Sequence, residues 1–386
     1  MTSSVRYISI GLFIVAAFLY WISLYLYVPT LPTYVQSKTE NLALVGSILS
    51  MYGLWQAVIR LPLGIAADWW GRRKPFMLGG LALAGLGAWS MGMANTPSDL
   101  RVGRSITGLA AAAWVTMVVA FNSLFPASEA IRATAMLTFV NSSGRILATG
   151  STGTLNIWGG YTLPFFLAVG VAGVGILFIL PIKEEPRSRL TRSPGEIIRL
   201  ITRHDVLVPS LLSAVSQYAL WTTTFGFNPI LAKQFGATDV VQSMLVTMNL
   251  VVAIMGNLSA TLLVNRVGAR RLVFFSFSMM VVGVGLTSAA TSLSALFAAQ
   301  FFIGLAHGIN FPALMGLSIR YVADSERNTA MGLHQSVYAV GMFGGPWLSG
   351  ILAQAMGLRS MLFMTALATL ILGLLGASKL DVKTSS

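Results

Sequence analysis

A chain of 386 residues that is 55% hydrophobic and only 10% charged is too apolar for a soluble protein of this length, and its apolar stretches recur too evenly for a single anchor. The formal charge of +13 would suit nucleic acid in a soluble protein, but here the basic residues sit in the gaps between apolar runs and set orientation instead, so no nucleic-acid partner is expected. With no cysteine there is no disulfide or thiolate metal site, and no Gly-x4-Gly-Lys-Ser/Thr loop offers a nucleotide cradle; neither metal nor cofactor is expected.

Runs long enough to cross a bilayer as helices fall at 7–35, 43–68, 75–95, 99–122, 132–157 and 161–182, then at 206–232, 239–263, 272–290, 294–318, 328–354 and 358–378. The first is far longer than a signal-peptide core, carries Trp21, Tyr25 and Tyr27, and has no small-residue cleavage site, so it reads as a retained helix. The sequence therefore predicts an all-α polytopic membrane protein of twelve transmembrane helices, six in an N-terminal bundle (1–182) and six in a C-terminal bundle (206–386). The break at 183–205 is a charged tether. Its end, Glu196 to Arg203, places Arg199 and Arg203 one turn apart beside apolar residues, which fits either a short helix on an anionic leaflet or a solvated cap before the seventh span.

Lys and Arg collect on one side: Arg6, Arg72, Arg73, Lys74, Arg132, the tether, Arg266, Arg270, Arg271, Arg320, Arg327, Lys379 and Lys383. The other side has Lys38, Arg101, Lys233 and Arg359. This excess predicts cytoplasmic termini. A plasma membrane is expected, specifically a bacterial inner membrane, with the chain a monomer.

The halves repeat. Gly64-x3-Asp68-x2-Gly71-Arg72-Arg73 returns faintly as Asn265-x2-Gly268-Ala-Arg270-Arg271. Leu31-Pro32 returns as Asn228-Pro229, Arg104 and Gly108 as Gln300 and Gly304, and Arg132-Ala-Thr-Ala-Met136 as Arg327-Asn-Thr-Ala-Met331, at separations of 195 to 197 residues.

The Gly64 to Arg73 loop between the second and third spans, within twelve spans in two repeats, resembles the major facilitator superfamily across the whole chain. Arg104-x3-Gly108-x-Ala-Ala on the fourth span resembles that superfamily's second motif, and Pro29-x-x-Pro32 is similar to the drug/proton antiporter branch. Two features depart from that branch: Trp69 stands where a basic residue usually follows the Asp, and the fifth span, with Gly144, Gly150 and Gly153, lacks the Gly-Pro pair. The resemblance implies a major facilitator fold and a cytoplasmic gate built from Gly64, Asp68, Gly71, Arg72 and Arg73 against the start of the eleventh span near Asn328. A weaker copy is implied at Asn265, Gly268 and Arg270. Asp68 ends a helix whose carbonyls are already negative, so it needs the cations or an opposing helix N-terminus.

Arg60, Arg104 and Arg145 lie within spans, where ionisable groups are costly and usually functional. At about 1.5 Å per residue Arg104 and Arg145 reach similar depths on adjacent spans, which predicts an anion-attracting patch. For Arg104 the family resemblance also implies a structural role, bonding carbonyls of the first span. Arg60 reads as part of the gate or as snorkelling inward. None of Glu40, Asp68, Asp99, Glu129, Asp205, Asp239, Asp324 or Glu326 falls mid-span, so coupling to a proton gradient would fall to His307 or His334, each of which also reads as a hydrogen-bonded packing group. Polar and aromatic residues mark spans one, two, four, five, seven, eight, ten and eleven as the cavity walls: Trp21, Tyr25, Gln56, Trp114, Asn141, Gln217, Trp221, Asn249, Asn310, Gln335 and Tyr338, beside Arg104 and Arg145.

No catalytic constellation appears, so no enzyme is predicted. The reading is a secondary transporter moving a small amphipathic, neutral or anionic solute by alternating access, as an exporter. An importer or exchanger of small organic anions, a flippase for lipids or other amphiphiles, and a non-transporting sensor are the rival readings. Asp68→Asn is expected to cut transport in vesicles while leaving the amount of folded protein nearly unchanged; full transport would refute the gate.

Overall fold

The computed structural model describes residues 3–126, 129–184, 199–200, 202–323 and 326–380. In hydrocarbon a backbone can satisfy its own N–H and C=O groups only as a helix or a closed barrel, and these residues take the first solution. The spans are α1 (Ser3–Tyr25, a tight turn Val28–Thr30, then Leu31–Gln36), α2 (Leu42–Trp70), α3 (Lys74–Gly92), α4 (Pro97–Ala112 and Trp114–Asn122), α5 (Ala130–Gly159) and α6 (Thr162–Ile179). After the tether come α7 (His204–Thr222, a π-turn Thr223–Phe227, then Asn228–Gln234), α8 (Asp239–Val267), α9 (Ala269–Ala289), α10 (Leu293–Ile319), α11 (Arg327–Met356) and α12 (Leu358–Ser378). There is no strand among the described residues. Residues 185–198 of the tether lie outside the described residues, and with them most of the short-helix expectation. Of its described part, Arg199 pairs with Glu326 at 2.6 Å, while Arg203 pairs with Asp205 at 2.6 Å and donates to the Tyr321 carbonyl at 2.9 Å.

The two halves use one packing scheme. In the first, α1 packs on α5 and α6, α2 on α4, and α3 on α4 and α6; in the second, α7 packs on α11 and α12, α8 on α10, and α9 on α10 and α12. α1 and α7 break at corresponding places because Pro29, Pro32 and Pro229 have no N–H to donate and fit only at the first positions of a new helical turn. Ten helices among the described residues are long and apolar enough to cross a membrane, and α5 and α7 are not among them. They fall short because α5 carries Asn141, Arg145 and Asn156 and α7 carries Gln217 and a broken backbone. Those polar side chains need protein or water beside them, while Phe139 and Leu147 of α5 and Leu211 of α7 face outward.

The halves meet where α2 packs on α11 and α5 on α8. With the helices alternating in direction, the start of α1 and the end of α12 lie at one face of the bundle, here called the termini face; the other is the far face. The seam is tightest at the far face. A Cβ on Gly46 would lie 2.1 Å from the Pro346 carbonyl oxygen, and one on Gly350 2.7 Å from that of Leu42, so α2 and α11 touch backbone to backbone. Hydrogen bonds stitch the same end: the Leu42 N–H donates to Gln354 at 2.7 Å, Asn156 to Asp239 at 2.9 Å, Thr33 to Gln242 at 3.0 Å and Thr247 to Thr149 at 2.9 Å. Towards the termini face the clearance grows: a Cβ on Gly64 meets nothing nearer than Val115 at 4.0 Å, and one on Gly332 nothing nearer than Leu61 at 3.9 Å.

At the termini face the α2–α3 turn closes on Gly71, whose φ of 72° is left-handed and whose N–H donates to the Ala67 carbonyl; Gly268 repeats this after α8 with φ 85°. Arg72 is exposed and Arg73 buried, whereas the side chains of Asp68 and Asn328 lie outside the described residues. The described bonds of this loop run to its own half. Glu184 accepts from the Arg73 and Lys74 backbone N–H groups, and the Lys74 ammonium donates to the carbonyls of Leu180 and Ile182 at the end of α6. In the copy, Asn265 is exposed and Arg270 donates to the Ser378 carbonyl at the end of α12, 2.9 Å away. Sequence reading overlooked Glu184 because a helix-capping carboxylate more than a hundred residues away leaves no local pattern.

Gly46→Val should wedge α2 from α11 at the far face. On a Leu220→Cys background, labelling by an impermeant thiol reagent applied from that face is expected to rise several-fold; unchanged labelling would show the seam tolerates the bulk.

Candidate substrate cavity

A cavity of about 170 Å³ lies between the halves, lined by residues of α1, α2, α4, α5, α7, α8, α10 and α11. Its far-face end is stopped by rings contributed from both sides of the seam. Tyr52 stacks on Trp221 with centroids 5.2 Å apart, Tyr25 meets Phe225 edge-on at 6.2 Å, and Trp221 and Phe225 pack at 4.8 Å. Below this stop Trp21 and Trp114 pack edge to face at 5.0 Å, and Phe311 and Tyr338 form the opposing wall at 6.0 Å. Thr138, Ser142 and Asn257 carry the lining towards the termini face.

Among the described residues two cations line this space and no carboxylate does. Arg60 is buried and solvated by protein: its guanidinium donates to the Gln56 side-chain oxygen and, at 3.4 Å, to the Gln335 carbonyl across the seam, and it lies 5.1 Å over the Tyr338 ring. Arg145 is different. It sits 4.3 Å over the Tyr25 ring and 5.7 Å from that of Trp21 with no hydrogen bond to a described residue, and its Nε, like that of Arg60, is buried and unpartnered. The Trp21 Nε1, the Asn141 Oδ1 and the His307 Nδ1 are buried and unpartnered in the same cavity. Buried polar atoms are normally satisfied, so five orphans around one void mark where another molecule's polar groups belong.

Of the residues singled out from sequence, Trp21, Tyr25, Gln56, Trp114, Asn141, Arg145, Gln217, Trp221, His307 and Tyr338 come together here. Arg104, Asn249, Asn310, Gln335 and His334 do not line the cavity. Arg104 is 2% exposed and lies 4.2 Å over the Tyr52 ring, on the side of α4 that packs against α2, so it forms no common patch with Arg145. Asn249 donates to the side chain and carbonyl of Gln300 at 2.9 and 3.2 Å. Asn310 accepts from Ser276 and donates to Ser216 at 3.5 Å, while His334 sits between Ser210 and Ser213 at 3.0 and 3.2 Å. The Gln335 backbone carbonyl, not its amide, meets Arg60. Thr138, Ser142, Phe225 and Phe311 line the cavity without having been named; each lies three or four residues from one that was, the spacing that shares a helix face.

The repeat explains Arg104. Tyr27, Tyr52 and Arg104 in the first half correspond in sequence to Thr224, Asn249 and Gln300 in the second, where Thr224 and Asn249 both bond the Gln300 side-chain oxygen at 2.9 Å. The same helix junction is held by a cation on an aromatic ring in one half and by neutral amides in the other.

The model of the Major Facilitator Superfamily matches residues 13–216 and again 210–385, and the chain belongs to that family. It is 21% identical to an uncharacterized MFS-type transporter of Methanocaldococcus jannaschii, MJ1560, over 92% of this chain and 93% of that one. Over 101 residues it is 33% identical to the inner membrane transport protein YajR of Escherichia coli, covering 25% of this chain and 22% of that one. Over 106 residues it is 28% identical to a putative niacin/nicotinamide transporter, NiaP, of Bacillus subtilis, covering 28% of this chain and 26% of that one. The chain thus aligns with about a quarter of the length of these last two relatives. Among solved structures it resembles a bacterial homolog of the human lysosomal transporter Spinster in an inward-facing, occupied conformation, with a TM-score of 0.81, 13% identity and 99% of each chain covered. It also resembles the nucleoside transporter NupG, with a TM-score of 0.76 at 14% identity, covering 97% of this chain and 100% of that one.

Arg104→Gln installs the second half's own solution at the first half's junction. Folded yield and transport are expected within about two-fold of the parent, measured by size-exclusion profile and vesicle uptake; collapse of transport alone would place Arg104 in the solute's path.

Proposed function

We propose that this transporter moves a small amphipathic solute, anionic or neutral, by alternating access, its bundles 1–182 and 206–386 rocking about the central cavity while 183–205 tethers them. The observation that carries the reading is the void between the halves, walled by rings and orphaned polar atoms and stopped by stacked rings at its far-face end. On the positive-inside orientation the termini face is cytoplasmic, in a bacterial inner membrane, so the conformation is closed to the outside and filled from within. Export follows from the Pro29-x-x-Pro32 resemblance. Uptake or exchange of organic anions is the second reading, favoured by two arginines and no carboxylate in the lining. The cavity is below the roughly 300–1,000 Å³ of drug-sized pockets, which weighs against lipid flipping and multi-ring toxicants in this state. His307, the histidine that lines the cavity, is the candidate for proton coupling.

Far-face closure must come undone once per cycle. The chain has no cysteine, so Thr149→Cys with Thr247→Cys gives a single thiol pair where the two hydroxyl oxygens lie 2.9 Å apart. Oxidation is expected to abolish proteoliposome transport and reductant to restore it. Undiminished transport by the cross-linked protein would sink alternating access at this seam.

A further inference from the structure

We propose that the cavity is built for the monoanion of a single-ring aromatic acid that also carries one hydrogen-bond donor, with Arg145 as its anion anchor. This rests on the transport reading and narrows its solute class.

The charge argument comes first. A guanidinium in a low-dielectric interior is costly unless oxygen ligands or a counter-charge meet it. The Nε of each is orphaned, but Arg60 has oxygen ligands in Gln56 and the Gln335 carbonyl, whereas the described contacts of the half-buried Arg145 are ring faces. Arg145 is therefore the cavity cation without an oxygen ligand among the described residues, and one negative charge fits there. The orphaned Trp21 N–H belongs to the ring beside that guanidinium, so an anionic oxygen pair at Arg145 finds a second donor there.

Shape follows from the walls. Trp21 and Trp114 on one half face Phe311 and Tyr338 on the other, a lining that suits a flat apolar body more than a flexible chain. The 170 Å³ is the share of about six liquid waters, room for one ring and its substituents. The donor requirement comes from Asn141, whose Oδ1 is buried and empty-handed. It lies four residues before Arg145, one helical turn and roughly 6 Å away, so the ligand's donor belongs within about that distance of its anionic group.

The test is binding to the full-length protein in detergent, by calorimetry, of four probes: 3-hydroxybenzoate, benzoate, its uncharged isostere benzamide, and the non-planar cyclohexanecarboxylate. Expected affinities fall in the order 3-hydroxybenzoate, benzoate, cyclohexanecarboxylate, benzamide, with at least a ten-fold gap between benzoate and benzamide. Arg145→Gln should collapse that gap to about two-fold, and Asn141→Ala should remove the advantage of 3-hydroxybenzoate over benzoate. Trp21→Phe, which keeps the ring and loses only the N–H, should weaken benzoate three- to ten-fold and stands in should Arg145→Gln fail to fold. Benzamide binding as well as benzoate, a gap that survives Arg145→Gln or a benzoate affinity indifferent to Trp21→Phe, or binding of none of the four would overturn the proposal. Vesicle transport separates the two readings: benzoate bound but not moved fails the transport reading alone, whereas benzamide moved as fast as benzoate fails this one alone.

Discussion

A polar group in hydrocarbon must find protein or water, and this constraint organises the molecule. It sorts the faces of helices α1 to α12 into those that can meet lipid and those that need protein or water. α5 and α7, the two helices less apolar than the other ten, bring Asn141, Arg145, Gln217 and Trp221 to the void. α3, α6, α9 and α12 contribute nothing to that void, and the seam and cavity fall to the remaining eight. The polarity that lowers the hydropathy of a span is the same polarity that builds the site.

Sequence made the spans, the repeat and the eight cavity-forming helices legible, because each is written in residue type along the chain. It did not say which way a polar residue faces. Asn249, Asn310 and His334 are as polar and as deep as the cavity residues, yet each turns towards a neighbour of its own half, Gln300, Ser276 or Ser210. A hydrogen-bonded packing pair and a binding residue have the same hydropathy, and only the rotation of the helix separates them. Arg104 shows the limit most clearly. Depth arithmetic placed it level with Arg145, but its side chain takes the ring of Tyr52 and stays out of the cavity lining. Comparing the halves would have warned of this, since a position answered by Gln300 in the repeat is one the fold needs filled, charged or not.

The far-face seam is short-range by construction. Gly46 and Gly350 bring two backbones into contact, and the bonds around them are made by hydroxyls, amides and one carboxylate, Asp239, which Asn156 and Tyr161 reach across the seam at 2.9 and 3.4 Å. Neutral hydrogen bonds are each worth about 1 kcal/mol net. A seam of a few such bonds is stable enough to populate and weak enough to open. Ring stacking between Tyr52 and Trp221 crosses the same boundary, so opening the far face also dismantles the stop above the cavity.

The two halves are alike in packing and unlike in charge. Arg60, Arg104 and Arg145 all belong to the first, whereas the second offers the cavity His307, Gln217, Asn257 and rings. Among the described residues no carboxylate of the second half reaches the cavity to meet these cations. Drawing the termini face shut around the void would deepen the burial of Arg145, and burial without a counter-charge raises its cost. A bound anion removes that cost where the halves must approach, because its charge sits on the first half while its body lies against the rings of the second. On this reading the solute supplies the electrostatic partner that the second repeat does not encode, and closure is tied to occupancy by the same guanidinium that selects the cargo.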